Sequence, residues 1–143
     1  MAHSSTQLGP VLVISSQVID GQVGLQAITP GLRALGLGCV GIPTILLAAH
    51  PRAYPDAGTP TGGALPAKQI EEHGEWLISA GALDGVSGVL TGYMPSADHV
   101  SATAKLIDAL RDINPDLPVC CDPICGDHDR LYLPQEVVTA LHE

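Results

Sequence analysis

Residues 119–129, VCCDPICGDHD, hold three cysteines (Cys120, Cys121, Cys125), three aspartates (Asp122, Asp127, Asp129) and His128. Thiolates with an imidazole are the ligands of a zinc cage. Neighbouring thiols are candidates for redox chemistry, and carboxylates just past a buried strand can hold a divalent cation or shape a phosphate site. A zinc knuckle wants thiolates converging on one point, whereas Cys120 and Cys121 are adjacent in an apolar run and point to opposite faces if that run is a strand. Cysteine as a small buried apolar residue accounts for Cys120 and Cys125. Asp122 and Asp127 then remain, either as ligands of a cation or phosphate site or as caps of the loop around Pro123 and Gly126.

Other side chains carry a chemical and a structural reading side by side. Ser16 and Gln17 end an apolar run and can contact a ligand or cap a helix. Tyr93, in LTGY, is a half-buried aromatic or a flat wall against which a ring stacks. His50 opens a proline-rich loop as a ligand contact or a plain polar residue. The run GLGCVG at 36–41 matches the dinucleotide pattern G-x-G-x-x-G, but it falls between a helix and the next strand. The pyrophosphate mechanism needs those glycines after a strand and opening a helix, so no such role is expected.

The elements that would position these groups read as an alternation. PVLVISS (10–16) is a short apolar run suited to a strand buried on both faces, and Val23, Ala27, Leu32 and Leu35 mark a helical face over 22–35, kinked near Pro30. CVGIPTILLA (39–48) is a second strand, with Pro43 expected to break or end it. The span 50–66 holds four prolines and three glycines, too many for a regular element, and is long enough to act as a lid. Then follow a helix over 67–80, a strand over 86–93, a helix from Ser96 to Ile113 stopped by Asn114 and Pro115, a strand over 117–124, and a helix over 134–143 with Pro134 at its first turn. Strands alternating with helices imply right-handed crossovers and a mostly parallel sheet covered on both faces. Ligands in such sheets bind beyond the carboxyl ends of the strands, where ISSQ, TGYMP and CDPICGD all lie.

Composition agrees with that class. Across 143 residues, 45% are apolar yet Phe is absent, so the core must be built of Val, Leu, Ile and Ala, the palette of a buried parallel sheet. A net charge of -9 opposes a phosphate polymer, which argues against nucleic acid as a partner. No stretch approaches the run of about 20 apolar residues that a membrane span needs. The opening MAHSSTQLGP lacks the pattern of a secretory leader, so a cytoplasmic chain with free thiols is expected. One domain over 10–143 after a tail at 1–9 is the expected organisation.

The ordered set VLVISSQVIDGQVG, the helix proline, LTGYMPSA, NPDLPVCCDPICGD and LYLPQEVV resembles the N-terminal half of the pyridoxal kinase family, within the ribokinase-like superfamily. The resemblance implies a three-layer, Rossmann-like α/β fold with an incomplete C-terminal half, and ATP-dependent phosphorylation of the 5′-hydroxyl of pyridoxal, pyridoxine or pyridoxamine. It implies Mg2+ and possibly K+ as ions, and a homodimer. By position, Ser16 hydrogen-bonds the pyridine ring, Val23 and Ile45 pack on it, Tyr93 lines its pocket, and Leu47 and His50 lie near it. Asp122 and Asp127 match acidic residues near the phosphates and the metal, which they would hold through water, and Tyr132 falls in the segment that folds over the nucleotide. Departures are Gln17 for a histidine, Leu25 for an asparagine, and AAHPRAY, with Pro51, where the family has SNHTGY. The family's catalytic aspartate stands in a G-x-G-D motif beside a glycine-rich anion hole, and no G-x-G-D occurs in these 143 residues. The catalytic residue is therefore unassigned, and transfer by this chain alone is expected to be nearly absent. The competing reading is a binding or assembly domain that keeps the half-fold and pairs through an open sheet edge. A zinc or redox protein built on the cysteines is a third.

Overall fold

The structure, a computed structural model, describes residues 8–142. Most of the tail expected over 1–9 therefore lies outside the described residues. A five-stranded sheet has the order β3-β2-β1-β4-β5, with β1 (Val11–Asp20), β2 (Cys39–Ala49), β4 (Gly88–Thr91) and β5 (Val119–Cys121) parallel, and β3 (Gly62–Ala64) antiparallel to β2 at its edge. The helices are α1 (Leu25–Ala34), α2 (Lys68–Ser79), α3 (Ala97–Ile113) and α4 (Gln135–His142).

Strand periodicity assigns the helices to opposite faces. Leu12, Ile14, Ile42 and Val89 point to one side and form one core cluster with Ile70 of α2 and Leu106 and Leu110 of α3. Val13 and Gly41, paired across β1 and β2, point to the other side, where a Cβ at Gly41 would lie 3.0 Å from Leu25 Cδ2 of α1. Right-handed crossovers give the same result: β1 to β2 steps one way along the sheet, and β2 to β4 to β5 steps back. The mostly parallel α/β sheet with helices on both faces is thus as the sequence implied.

Several local expectations need correction. Pro43 does not end β2, which runs on to Ala49. The register against β1 slips between the pairs Ser15↔Pro43 and Gln17↔Leu46, so the missing donor falls at a bulge. Pro30 lies inside α1, within the helix read over 22–35. The span 50–66 is not wholly irregular, since it contains a 3-10 turn at Pro55–Ala57 and the strand β3. The strand read over 117–124 shrinks to three residues, and a two-stranded hairpin of β6 (Gly126–Asp127) and β7 (Arg130–Leu131) follows it. Cys120 and Cys121, on opposite faces of β5, are both exposed, and among the described residues β5 pairs only with β4. Buried packing fails for Cys120 and holds for half-buried Cys125, which packs against the core cluster.

Candidate functional site

The carboxyl ends of β1, β2, β4 and β5 share one edge of the sheet, and the expected site residues are distributed along it. Ser16 lies in β1, half-buried, directly against Gly24 in the turn leading to α1. A Cβ at Gly24 would collide with the Ser16 carbonyl and Oγ, and the residue has φ 54°, so both space and backbone demand glycine. Half-buried Val23 sits in the same turn, while Ile45 and Leu47, also half-buried, lie on β2 opposite Ala64 and Gly62 of β3. His50 is exposed beyond β2, and its Nδ1 accepts the Arg52 backbone N–H at 3.2 Å. Gln17 turns back on its own strand, donating to the Val18 carbonyl at 2.8 Å.

Tyr93 follows β4. Its carbonyl accepts the hydroxyl of fully buried Thr44 at 2.7 Å, which ties the end of β4 to β2. Its ring centroid lies 6.5 Å from that of Tyr132, tilted by 31°, within the range of attractive aromatic pairing. Tyr132 is held by its N–H to the Cys125 carbonyl at 3.0 Å. Burial raises the Tyr93 phenol above its ordinary value. Burial also leads the rise at Tyr132, with the charges of Cys125, Tyr93, Asp127 and Asp122 adding to it.

Asp122 leaves β5 with its N–H on the Thr91 carbonyl at 3.0 Å, and its exposed carboxylate makes no hydrogen bond or ion pair among the described residues. Asp127 is engaged on both oxygens: Arg52 Nη1 lies 3.3 Å from Oδ2, and His128 Nε2 lies 3.5 Å from Oδ1. The hairpin turn that carries these residues has φ of 47° at His128 and 62° at Asp129, the left-handed pair of a two-residue turn. No group of three or more His, Cys, Asp or Glu side chains poised for a metal occurs among the described residues. Tested against a hydrated magnesium ion, Asp122 fits as a hard oxygen donor with open lone pairs, whereas Asp127 already faces a guanidinium. Sequence reasoning missed Gly24, Thr44 and Arg52. Two hollows of about 190 and 350 Å³ lie elsewhere among the described residues, beside Trp76 and beside Leu83, and neither includes an expected site residue.

No protein-family model matches the chain. The pyridoxine/pyridoxal/pyridoxamine kinase of Bordetella avium is 37% identical over 144 aligned positions, covering 100% of this chain and 47% of that protein. The pyridoxal kinase of Arabidopsis thaliana is 34% identical over 94% of this chain and 42% of its own length. The pyridoxal kinase of Leishmania donovani, solved with ADP and pyridoxine, superposes with a TM-score of 0.84 at 33% identity, over 93% of this chain and 46% of that one. By sequence and fold, this chain matches half of a pyridoxal kinase. The chain spans about half the length of the curated relatives it matches. The pyridoxal kinase of Entamoeba histolytica, solved with PLP, gives the same coverage at 28% identity and a TM-score of 0.83. The family's enzymes are kinases, and no helix among the described residues of this chain is long and apolar enough to cross a membrane.

Proposed function

We propose that residues 10–143 form the vitamin-binding, N-terminal half of a pyridoxal kinase domain. The B6 ring lies among Ser16, Val23, Ile45, Leu47, His50 and Tyr93, with its 5′-hydroxyl toward Asp122 and Asp127. The observation that carries this reading is the meeting of Tyr93 and Tyr132 at 6.5 Å, on the edge where β1 and β2 bring Ser16 and Ile45 and where Asp122 follows β5. Val23 and Ile45 offer apolar surface to the ring faces, the Ser16 hydroxyl offers a partner for the ring's polar atoms, and Tyr93 closes one wall. Tyr132 fronts the nucleotide side. Bound ATP would supply the phosphoryl group and Mg2+, with K+ as a further ion, would neutralise its developing charge. In the transfer the vitamin's hydroxyl oxygen bonds to phosphorus as the bond to the ADP oxygen breaks, and the hydroxyl proton passes to a base. No G-x-G-D supplies that base within these 143 residues, so this chain's own part is to bind and orient the vitamin, and transfer needs that element from elsewhere. A cytoplasmic location and a homodimer belong to the same reading.

Titration of the purified chain with pyridoxine, followed by calorimetry and by amide NMR, tests this. Saturable binding at one site, weakened about tenfold by Ser16→Ala and by Tyr93→Ala, is expected from the loss of one buried polar contact or one aromatic wall. A folded chain that does not bind would refute it. A second reading, a non-catalytic assembly domain, is favoured by the open edge of β5 with its exposed Cys120 and Cys121.

A further inference from the structure

A phosphate group at this edge meets an unfavourable field. The chain carries 15 Asp and Glu against 6 Lys and Arg, and Asp20, Asp122, Asp127 and Asp129 all lie near the carboxyl ends of the strands. Few cations are free to offset them. Lys68 is tied to Glu72 at 2.7 Å and Lys105 to Glu71 at 3.0 Å. Arg33 and Arg111 sit in the last turns of α1 and α3, which return to the opposite edge of the sheet. Arg130, in β7, makes no ion pair among the described residues. Arg52 alone reaches an expected site residue, at Asp127.

The loop that carries Arg52 is braced from both sides. It leaves β2 at Ala49, the Tyr54 hydroxyl donates to the Asp20 carboxylate at the end of β1, and the chain returns as β3 on β2. From there Arg52 spans to the hairpin beyond β5, so the segment straddles the ends of β1 and β4. The arginine side chain is 75% exposed, and an ion pair so exposed is weak and easily exchanged. A phosphate dianion accepts the planar guanidinium fork through two oxygens and competes well with a single carboxylate contact. This residue lies within AAHPRAY, where the chain departs from the SNHTGY of the family it resembles.

We propose that Arg52 recognises the phosphate of the vitamin's 5′-phosphate ester, resting on Asp127 while the site is empty and moving to the ester when it is present. The proposal rests on the vitamin-site reading above. Its test compares pyridoxine, pyridoxine 5′-phosphate and ATP by calorimetry on the wild-type chain, Arg52→Ala and Arg52→Lys. The first two ligands lack an aldehyde and so form no imine with lysines. Loss of one charge-assisted contact should weaken the 5′-phosphate about tenfold in Arg52→Ala, leave pyridoxine within about twofold, and be partly restored by lysine. Asp127→Asn should strengthen the 5′-phosphate, since it removes both the competing anion and its repulsion. Equal weakening of pyridoxine and its ester would mean that Arg52 only shapes the loop, and weakening of ATP alone would assign it to the nucleotide; either overturns the proposal. Unchanged ester binding in Arg52→Ala overturns it while leaving the vitamin site intact. A wild-type chain that binds neither pyridoxine nor its ester overturns the vitamin reading itself.

Discussion

Tyr93 and Tyr132 show how far side-chain chemistry at this edge departs from that of free residues. Burial favours the neutral phenol at both, and nearby negative charge adds to the effect at Tyr132. Tyr54, exposed, is raised mainly by its hydrogen bond to Asp20 and then by that carboxylate's charge. The chain has three tyrosines, so ultraviolet absorbance during an alkaline titration should show all three phenols ionising above 10.0, and Asp20→Asn should return one of them toward it. A phenol ionising below 10.0 in the folded chain would contradict the arrangement. The linkage has a definite sign: a raised folded value means stability that is full below pH 10.0 and is lost as pH rises through the shifted values. Asp122 and Asp127 were legible as candidates because an apolar run ending in CDPICGD places carboxylates at the end of a strand. Arg52 was not, since nothing local to residue 52 announces a partner 75 positions away. Buried His99 was equally silent: its ring bridges the Ser96 hydroxyl at 2.7 Å and the Leu65 carbonyl at 2.8 Å, fastening the end of the 50–66 span to α3.

Among the elements, the pair of α2 and α3 holds the sheet's larger core together. Gly74 lets the helices approach so closely that a Cβ there would collide with Leu106 Cδ1, and Leu106 is only 3% exposed. Leu106→Ala should therefore leave a cavity between two helices and the sheet, lowering stability by about 2–5 kcal/mol in denaturant unfolding. A loss under about 1 kcal/mol would mean that the helices collapse into the space or pack more loosely than described. Both helices were readable from apolar spacing and their stops, and α3 ends at Ile113 before Asn114 as the sequence indicates. The β6–β7 hairpin was not readable. Its turn takes left-handed backbone at His128 and Asp129, where the usual signal is a glycine, so GDHD carried no hairpin signature. Pro43 misled for the opposite reason: proline argues against a central strand, yet a bulge absorbs its missing donor.

At the scale of the whole molecule, four parallel strands and one antiparallel edge strand build a sheet whose β5 side is open among the described residues. Pro118 and Asp122 direct their backbone groups at β4, so Val119 and Cys121, alternating with them, direct theirs outward. The assembly reading expects concentration-dependent self-association in sedimentation equilibrium that Cys121→Pro reduces, because the substitution removes an outward donor without touching the β4 ladder. A monomer's molecular weight at all concentrations would dispose of that reading. The fold class followed from alternation of apolar runs and helical faces alone, whereas the open edge did not, since a strand's burial depends on neighbours its own residues do not encode. That is why exposed Cys120 was mistaken for a packing residue. The convergence of three distant segments on one edge is the central claim, and the amide map of the pyridoxine titration tests it most directly. Shifts clustered at Ser16, Val23, Ile45 to His50 and Tyr93 are predicted, with the outer faces of α2 and α3 unmoved. Saturable shifts confined to another surface, or none in a folded chain, would contradict it.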